Sequence, residues 1–138
     1  MMAELHPRLA ADTRALGETP DCWIRWMNDQ RFPWLVLVPK RDDVREWYEL
    51  ESSTQHDLLD LMNRCAMHLQ ALTGAEKMNI GALGNLVPQL HVHIIARDAQ
   101  DPCWPGPVWG QGQPEPWAEG EEPQWLPAMR QRLSYRCA

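Results

Sequence analysis

Residues 89–95 read Gln-Leu-His-Val-His-Ile-Ile, and this alternation constrains the fold more than any other stretch of the chain. Successive side chains of a β-strand point to opposite faces of the sheet, so the pattern predicts a strand with one polar and one apolar face. Gln89, His91 and His93 would project together from the polar face, and Pro88 would mark where the strand begins. Imidazole serves as nucleophile, as acid or base, and as metal ligand, so the paired histidines indicate a reactive or metal-binding site.

The loop before this strand is rich in glycine and amide side chains. Residues 79–88 read Asn-Ile-Gly-Ala-Leu-Gly-Asn-Leu-Val-Pro, and with residues 89–95 they resemble the signature of the histidine-triad (HIT) superfamily of nucleotide hydrolases and transferases. That signature carries three histidines alternating with apolar residues, and in this chain Gln89 replaces the first. Residues 24–40 are similar to the family's earlier hairpin, whose apolar strand ends in a Pro-basic pair. The resemblance therefore extends over about residues 20–97.

The resemblance implies a role for each member of the polar row. His91 would be the nucleophile, attacking the α-phosphorus of a nucleotide to give a nucleotidyl-histidine that water then cleaves. His93 would donate a hydrogen bond to the phosphate oxygens. Gln89 can donate and accept hydrogen bonds but cannot change charge, so it either orients and packs in place of a histidine or leaves catalysis in doubt.

Six further residues are candidates for binding the nucleotide, most of them through the same resemblance. The roles considered are contact with the ribose, stacking on the base, phosphate binding by amides and phosphate binding by a cation. Turn formation or core packing explains several of these positions as well. The candidates are Trp26 for the base, Asn28 for the ribose, Asn79, Gly81 and Asn85 for the nucleotide and its phosphates, and Arg97 as the cation.

The bulk properties are those of one globular domain. The chain has 138 residues, of which 44% are hydrophobic and 23% charged, and it is interpreted as a single domain over residues 1–138 with a core at about 5–97 and a tail at 98–138. A formal net charge of −6 argues against nucleic acid as the main partner. No apolar run has the ~20 residues of a membrane span, and residues 1–7 lack the features of a signal peptide, which favours the cytoplasm. The four scattered cysteines are expected to be free thiols.

Periodicity and turn residues predict an α+β domain in which one long helix packs on an antiparallel sheet. Gly74 is a plausible end for the long helix, whose apolar residues recur every three or four positions. The resemblance implies a HIT-like sheet of about five strands and a homodimer. Helices are predicted at residues 5–16, 54–72 and 128–135, and strands at residues 22–27, 34–38, 76–81 and 89–95.

The tail differs in kind from the rest of the chain. Residues 101–127 hold seven of the twelve prolines and four of the eight tryptophans. Proline excludes regular helix and central strand, while the tryptophans predict a tail packed onto the domain. The segment around Trp104 and Trp109 resembles one in a bacterial branch of the superfamily with the same Gln-x-His-x-His pattern. Such a tail could cover the site, its own or a partner's, and shape the choice of leaving group.

Two other functions compete with a nucleotide hydrolase or transferase. His91 and His93 have a spacing seen in metal sites, but two ligands are too few for zinc, and neither His56 nor His68 is marked as a third. A nucleotide-binding module without catalysis is the other alternative, and Gln89 is its only hint. For the enzyme, no resident cofactor is expected, and a divalent cation could arrive with the substrate phosphates. The sequence leaves the leaving group, the base and the final acceptor open.

Overall fold

The computed structural model describes residues 3–137, and its strands form one antiparallel sheet in the order β1-β2-β3-β5-β4. This confirms the predicted α+β class with a five-stranded sheet. A 3-10 turn at Trp47–Glu49 precedes the long helix. In chain order the elements are α1 (Pro7–Asp12), β1 (Thr13–Thr19), β2 (Cys22–Met27), β3 (Trp34–Pro39), α2 (Ser52–Thr73), β4 (Lys77–Gly81), β5 (Val92–Arg97) and α3 (Leu126–Cys137).

The sheet separates two apolar clusters. Leu35 and Leu37 of β3 point towards α2 and α3 and belong to the larger cluster. The alternate residues Trp34, Val36 and Val38 face the other way and pack with Leu9 of α1 and Val108 of the tail. All six residues of β3 are buried, as expected for a central strand covered on both faces.

The amino-terminal prediction is wrong in its extent. The helix ends at Asp12, and Thr13–Thr19 forms the edge strand β1 paired with β2. The pairing register shifts between Ala15 and Gly17, so this strand contains a bulge and buries Thr13 and Leu16 without strict alternation. A bulged edge strand lacks the period of two that would have marked it in the sequence.

The histidine strand also begins later than predicted. β5 starts at Val92, so Gln89 and His91 belong to the preceding loop and Pro88 does not open the strand. The main-chain N–H of Leu90 donates to the oxygen of Val44 at 2.9 Å, which ties this loop to the segment before α2. Leu90, Val92 and Ile94 still point to one apolar face and enter the larger cluster.

The predicted long helix and packed tail are confirmed in their main features. α2 begins two residues earlier than predicted and ends at Thr73, and Gly74 caps it with a left-handed φ of 71°. Trp109 packs against the smaller cluster, and Trp117 and Trp125 pack against the larger one. Cys22, Cys65 and Cys103 are free thiols, as predicted, and Cys137 falls outside this observation. Among residues 3–137, no helix has the length and apolar character needed to cross a membrane.

Candidate active site

A cavity of about 740 Å³ opens on the face of the sheet opposite α2. Its walls come from α1, the loop after β2, the loop between β4 and β5, and residues 108–116 of the tail. His91 and His93 both line it, and each is only 6% exposed. Their ring centroids lie 5.0 Å apart with an interplanar angle of 74°. The two histidines that the sequence singled out therefore meet in one cavity.

The hydrogen bond of His91 fixes which ring nitrogen is free. Its Nδ1 lies 2.7 Å from the main-chain oxygen of Gln89. A carbonyl oxygen only accepts, so Nδ1 carries the proton when this imidazole is neutral, and Nε2 holds an unshared pair. A neutral imidazole with a free Nε2 is the form needed for nucleophilic attack.

His93 has the opposite arrangement. The indole N–H of Trp34 donates to its Nδ1 at 3.0 Å, so the proton of neutral His93 is on Nε2. Burial, with a smaller contribution from His91, lowers the pKa of His93 to about 3. The ring therefore stays neutral at physiological pH and offers one N–H donor. The two histidines expose complementary groups, a lone pair on one and a proton on the other.

Asn85 and Gly81 occupy different surroundings. Asn85 lies in the loop between β4 and β5, lines the cavity and is exposed, so its amide is available to a ligand. Gly81 ends β4 opposite His93, but it does not line the cavity. An added Cβ there would lie 3.1 Å from Cη2 of Trp109, so this glycine makes room for the indole. The prediction that Gly81 binds the nucleotide or its phosphates does not fit this placement.

Asn28 lines the cavity, whereas Trp26 does not. The Oδ1 of Asn28 accepts the main-chain N–H of Trp117 at 2.8 Å, which leaves its Nδ2 as the group to offer a ligand. Trp26 is 5% exposed and points into the larger cluster on the α2 side of the sheet. This position does not fit the predicted contact with the base, because alternate residues of β2 face opposite ways and the cavity-lining neighbour is Met27.

Arg97 and Asn79 form a buried network away from the cavity lining. Arg97 is 2% exposed, and its Nε and Nη2 donate to the two carboxylate oxygens of Asp101 at 2.7 and 3.1 Å. Its Nη1 donates to Oδ1 of Asn79 at 2.8 Å, and Nη2 also donates to the oxygen of Gly106. The predictions that Arg97 is a phosphate cation and Asn79 a nucleotide contact do not fit, because both groups are engaged in anchoring the tail.

Gln89 does not point into the cavity. Its Oε1 accepts the main-chain N–H of His6 at 2.8 Å, and its Nε2 donates to the main-chain oxygen of Glu4 at 3.0 Å. The side chain thus joins the histidine loop to the amino-terminal segment. Of the two interpretations left open by the sequence, this contact pattern fits orientation and packing.

The tail forms a fixed wall of the cavity in its own chain. The main-chain N–H of Gln30 donates to the oxygen of Glu115 at 2.7 Å, and Nη1 of Arg31 donates to the oxygen of Gln111 at 2.8 Å. Arg31 is in turn held by Asp29, which is 3% exposed. The loop after β2 therefore binds the tail across the mouth of the site.

Sequence reasoning did not place Trp34 or Arg8 at the site, and it gave Trp109 only as part of a tail that could cover the site. Trp34 contacts His93 from β3, Trp109 contacts it from the tail with ring centroids 5.5 Å apart, and Arg8 lies on the cavity rim. The two tryptophans are far from the histidines in sequence, so no local spacing relates them. The strand predicted at residues 34–38 includes Trp34, but nothing in the local sequence indicates that His93 is its partner.

The described residues offer no ligand set for the metalloenzyme alternative. Among the side chains described, those of residues 3–134, no three His, Cys, Asp or Glu converge as a metal site would require. Nδ1 of His93 accepts from Trp34, so its neutral ring presents a protonated Nε2 to the cavity and no lone pair for a metal. The donor set therefore favours nucleophilic and hydrogen-bonding roles for the two histidines over metal ligation.

A five-stranded antiparallel sheet with two histidines in this arrangement defines a histidine-triad type of protein. The sequence profile of the HIT domain matches residues 8–100. The chain therefore belongs to the HIT domain family, whose members are typically nucleotide hydrolases or transferases. Among curated proteins, no sequence matches the chain significantly.

Solved structures of histidine triad proteins are similar to this chain over almost its whole length. One from Sinorhizobium meliloti is 47% identical, with 96% of each chain covered and a TM-score of 0.85. One from Marinobacter aquaeolei is 42% identical, and one from Bradyrhizobium japonicum is 38% identical; both comparisons cover 100% of each chain with a TM-score of 0.87. The similarity includes the tail, so the tail belongs to the architecture that these proteins share.

Proposed function

We propose that this protein is a nucleotide hydrolase or nucleotidyl transferase that acts at the α-phosphate of a purine nucleotide conjugate. Diadenosine polyphosphates and nucleoside phosphoramidates are the substrate types in view. The observation that carries the proposal is the opposite protonation of the two cavity histidines, with Nε2 of His91 unprotonated and Nε2 of His93 protonated. A nucleophile beside a proton donor is what phosphoryl displacement through a covalent intermediate requires.

The reaction proceeds in two displacements at phosphorus. Nε2 of His91 forms a bond to the α-phosphorus, the bond from phosphorus to the leaving group breaks, and the leaving group departs with the electron pair and takes up a proton. Water or another acceptor then attacks phosphorus, loses its proton, and breaks the bond to Nε2. The imidazole is cationic while it carries the nucleotidyl group, and the Gln89 carbonyl that accepts from Nδ1 stabilises that charge.

The cavity suggests how the nucleotide lies. Leu9 of α1 and Met27 of β2 supply an apolar end for the base, and the histidines mark the phosphate end. We propose that Nδ2 of Asn28 donates to a ribose oxygen and that the exposed Asn85 amide donates to a phosphate oxygen.

Gln89 is proposed to act through the main chain. Its two side-chain hydrogen bonds to residues 4 and 6 hold the loop whose carbonyl orients His91. Replacement of the first histidine therefore keeps the nucleophile in position, which favours an enzyme over a non-catalytic binding module.

A homodimer in the cytoplasm remains part of the proposal. β4 is an edge strand, and Ile80 on it is 46% exposed; Leu86 in the adjacent loop is 83% exposed. An apolar sheet edge of this kind is suited to pairing with a second copy. Sedimentation of the wild type and of Ile80→Lys tests this: a dimer converted to monomer supports the pairing, and a monomeric wild type contradicts it.

Release of AMP from adenosine phosphoramidate and from diadenosine polyphosphates tests the activity. His91→Ala is expected to abolish release, whereas the matched variant His56→Ala, on the exposed surface of α2, is expected to keep the wild-type rate. Binding of nucleotide with no release from any substrate would instead support the non-catalytic module.

A further inference from the structure

His93 is enclosed by three aromatic rings. The centroid of its imidazole lies 5.6 Å from that of Trp34, 5.5 Å from that of Trp109 and 5.0 Å from that of His91, all in edge-to-face geometry. Edge-to-face contact packs the rings closely and restricts rotation of the imidazole. The orientation of His93 is therefore set by its neighbours before any substrate arrives.

Only one of the two indoles also fixes the position of the proton. The N–H of Trp34 donates to Nδ1 of His93 at 3.0 Å. The N–H of Trp109 is buried and has no hydrogen-bond partner among the described residues. Since an indole nitrogen can donate but not accept, the contact with Trp34 is incompatible with a proton on Nδ1. Trp109 supplies packing without that constraint.

Trp34 is itself held firmly. It is 7% exposed, it lies opposite Ile95 in the pairing of β3 with β5, and its ring contacts Phe32 edge to face at 6.2 Å. The main-chain N–H of Ala96 donates to the oxygen of Pro33 at 3.0 Å, which secures the start of β3. The donor that reaches His93 is thus fixed on the central part of the sheet.

We propose that Trp34 is a positioning residue that keeps His93 in the tautomer protonated at Nε2. This inference rests on the proposed function, in which that N–H faces the bound phosphate. The other tautomer would aim a lone pair at a phosphate oxygen, and repulsion would replace a hydrogen bond. Trp34 therefore determines whether the last histidine of the motif stabilises the charge that develops on the phosphate.

The direct test is nitrogen NMR of the wild type with 15N-labelled histidine and tryptophan, without substrate. We expect His93 to show a protonated Nε2 and an unprotonated Nδ1, with a scalar coupling across the hydrogen bond to Nε1 of Trp34. A proton on Nδ1 of His93 would overturn the inference. Because this measurement uses the unaltered protein, it does not depend on any variant folding.

Trp34→Phe and Trp109→Phe form a matched pair, since each replaces an indole on His93 by a phenyl ring. Trp34→Phe is expected to give a mixture of His93 tautomers and a kcat for AMP release lower by about tenfold, with KM little changed. Trp109→Phe is expected to keep the Nε2 proton. An unchanged tautomer in Trp34→Phe, or the same mixture in both variants, would contradict the inference. If the wild type shows the expected tautomer but releases no AMP, the proposed function is overturned, while the positioning of His93 by Trp34 stands.

Discussion

The Nδ1 atom of His91 lies 2.7 Å from the main-chain oxygen of Gln89, and the Gln89 side chain is bound at both ends to main-chain groups of Glu4 and His6. The residue that departs from the histidine triad therefore holds the carbonyl that orients His91, the proposed nucleophile. The side-chain amide of Gln89 bonds to the amino-terminal segment, while its main-chain oxygen accepts the hydrogen bond from His91. The exchange of histidine for glutamine is therefore compatible with catalysis.

Gln89→Ala removes both side-chain hydrogen bonds and keeps the main-chain carbonyl. We expect kcat to fall several-fold, because the loop that orients His91 loosens, and the free energy of unfolding to fall by about 2 kcal/mol. AMP release and urea unfolding measure the two effects. Gln100→Ala, at an exposed turn, is the control and should change neither. Wild-type values of both quantities in Gln89→Ala would refute the orienting role.

Gly81→Ala tests the space that admits Trp109. The added methyl group would lie 3.1 Å from Cη2 of the indole, so we expect Trp109 to shift and the protein to lose about 1 kcal/mol of stability. Tryptophan fluorescence and the melting temperature report these changes. Gly17→Ala provides the comparison, since a methyl group there would have no atom within 4 Å beyond its chain neighbours. Equal effects of the two substitutions would contradict the proposed steric role.

Asp101→Asn tests the ion pair that anchors the tail. Although burial acts to raise it, hydrogen bonds from Arg97 hold the pKa of Asp101 below its ordinary value. The side chains of this pair are 2% and 7% exposed, so removing the carboxylate leaves a buried guanidinium unpaired and should cost about 3 kcal/mol in urea unfolding.

Asp21→Asn is the matched substitution at an exposed ion pair, where the Asp21 and Arg41 side chains are 48% and 33% exposed. It should cost less than about 1 kcal/mol. A loss of stability as small for Asp101→Asn would show that the buried pair does not hold the tail.

The stabilisation by Asp101 should be present at neutral pH and lost as the pH falls below about 3.9 and then through the depressed folded-state pKa.

The low pKa of His93 predicts a pH dependence of stability. In the folded protein this pKa is about 3, whereas in the unfolded chain it is about 6.5. Between these values the unfolded chain binds more protons, so stability falls as the pH is lowered through that range. From pH 7 to pH 5, the wild type should lose about 2 kcal/mol more than His93→Asn, which keeps an acceptor for Trp34.

Urea unfolding at the two pH values measures this difference. His56→Asn, on the exposed face of α2, is the control and should follow the wild type. The same loss in wild type and His93→Asn would mean that His93 titrates normally in the folded protein.

Local patterns predicted the parts of the fold that depend on local periodicity. β2 follows from alternation, β3 from its continuous apolar run, and the buried face of α2 from apolar residues every three or four positions. The histidines were found by their own motif. β1 was missed because its bulge breaks the alternation at Ala15 and Gly17. The histidine strand was predicted to begin at Gln89, but the side chain of Gln89 bonds to residues 4 and 6, and β5 begins only at Val92.

The roles of single polar residues were harder to predict, because they depend on partners distant in the chain. Arg97 was assigned to phosphate, yet Asp101 and the main chain of Gly106 occupy its donors. Trp26 was assigned to the base, yet the facing of β2 places it in the core. Trp34 was not recognised, since its contact with His93 joins residues 59 positions apart.

The most direct test of the central claim is to look for the nucleotidyl-histidine itself. The wild type is mixed with adenosine phosphoramidate, quenched rapidly in alkaline denaturant because phosphorus–nitrogen bonds hydrolyse in acid, and digested for mass spectrometry. We predict an adenylyl group on His91 in the peptide of residues 78–97, formed at least as fast as AMP is released, and absent from His91→Ala. An adduct on another residue, or release of AMP by His91→Ala at the wild-type rate, would contradict the account.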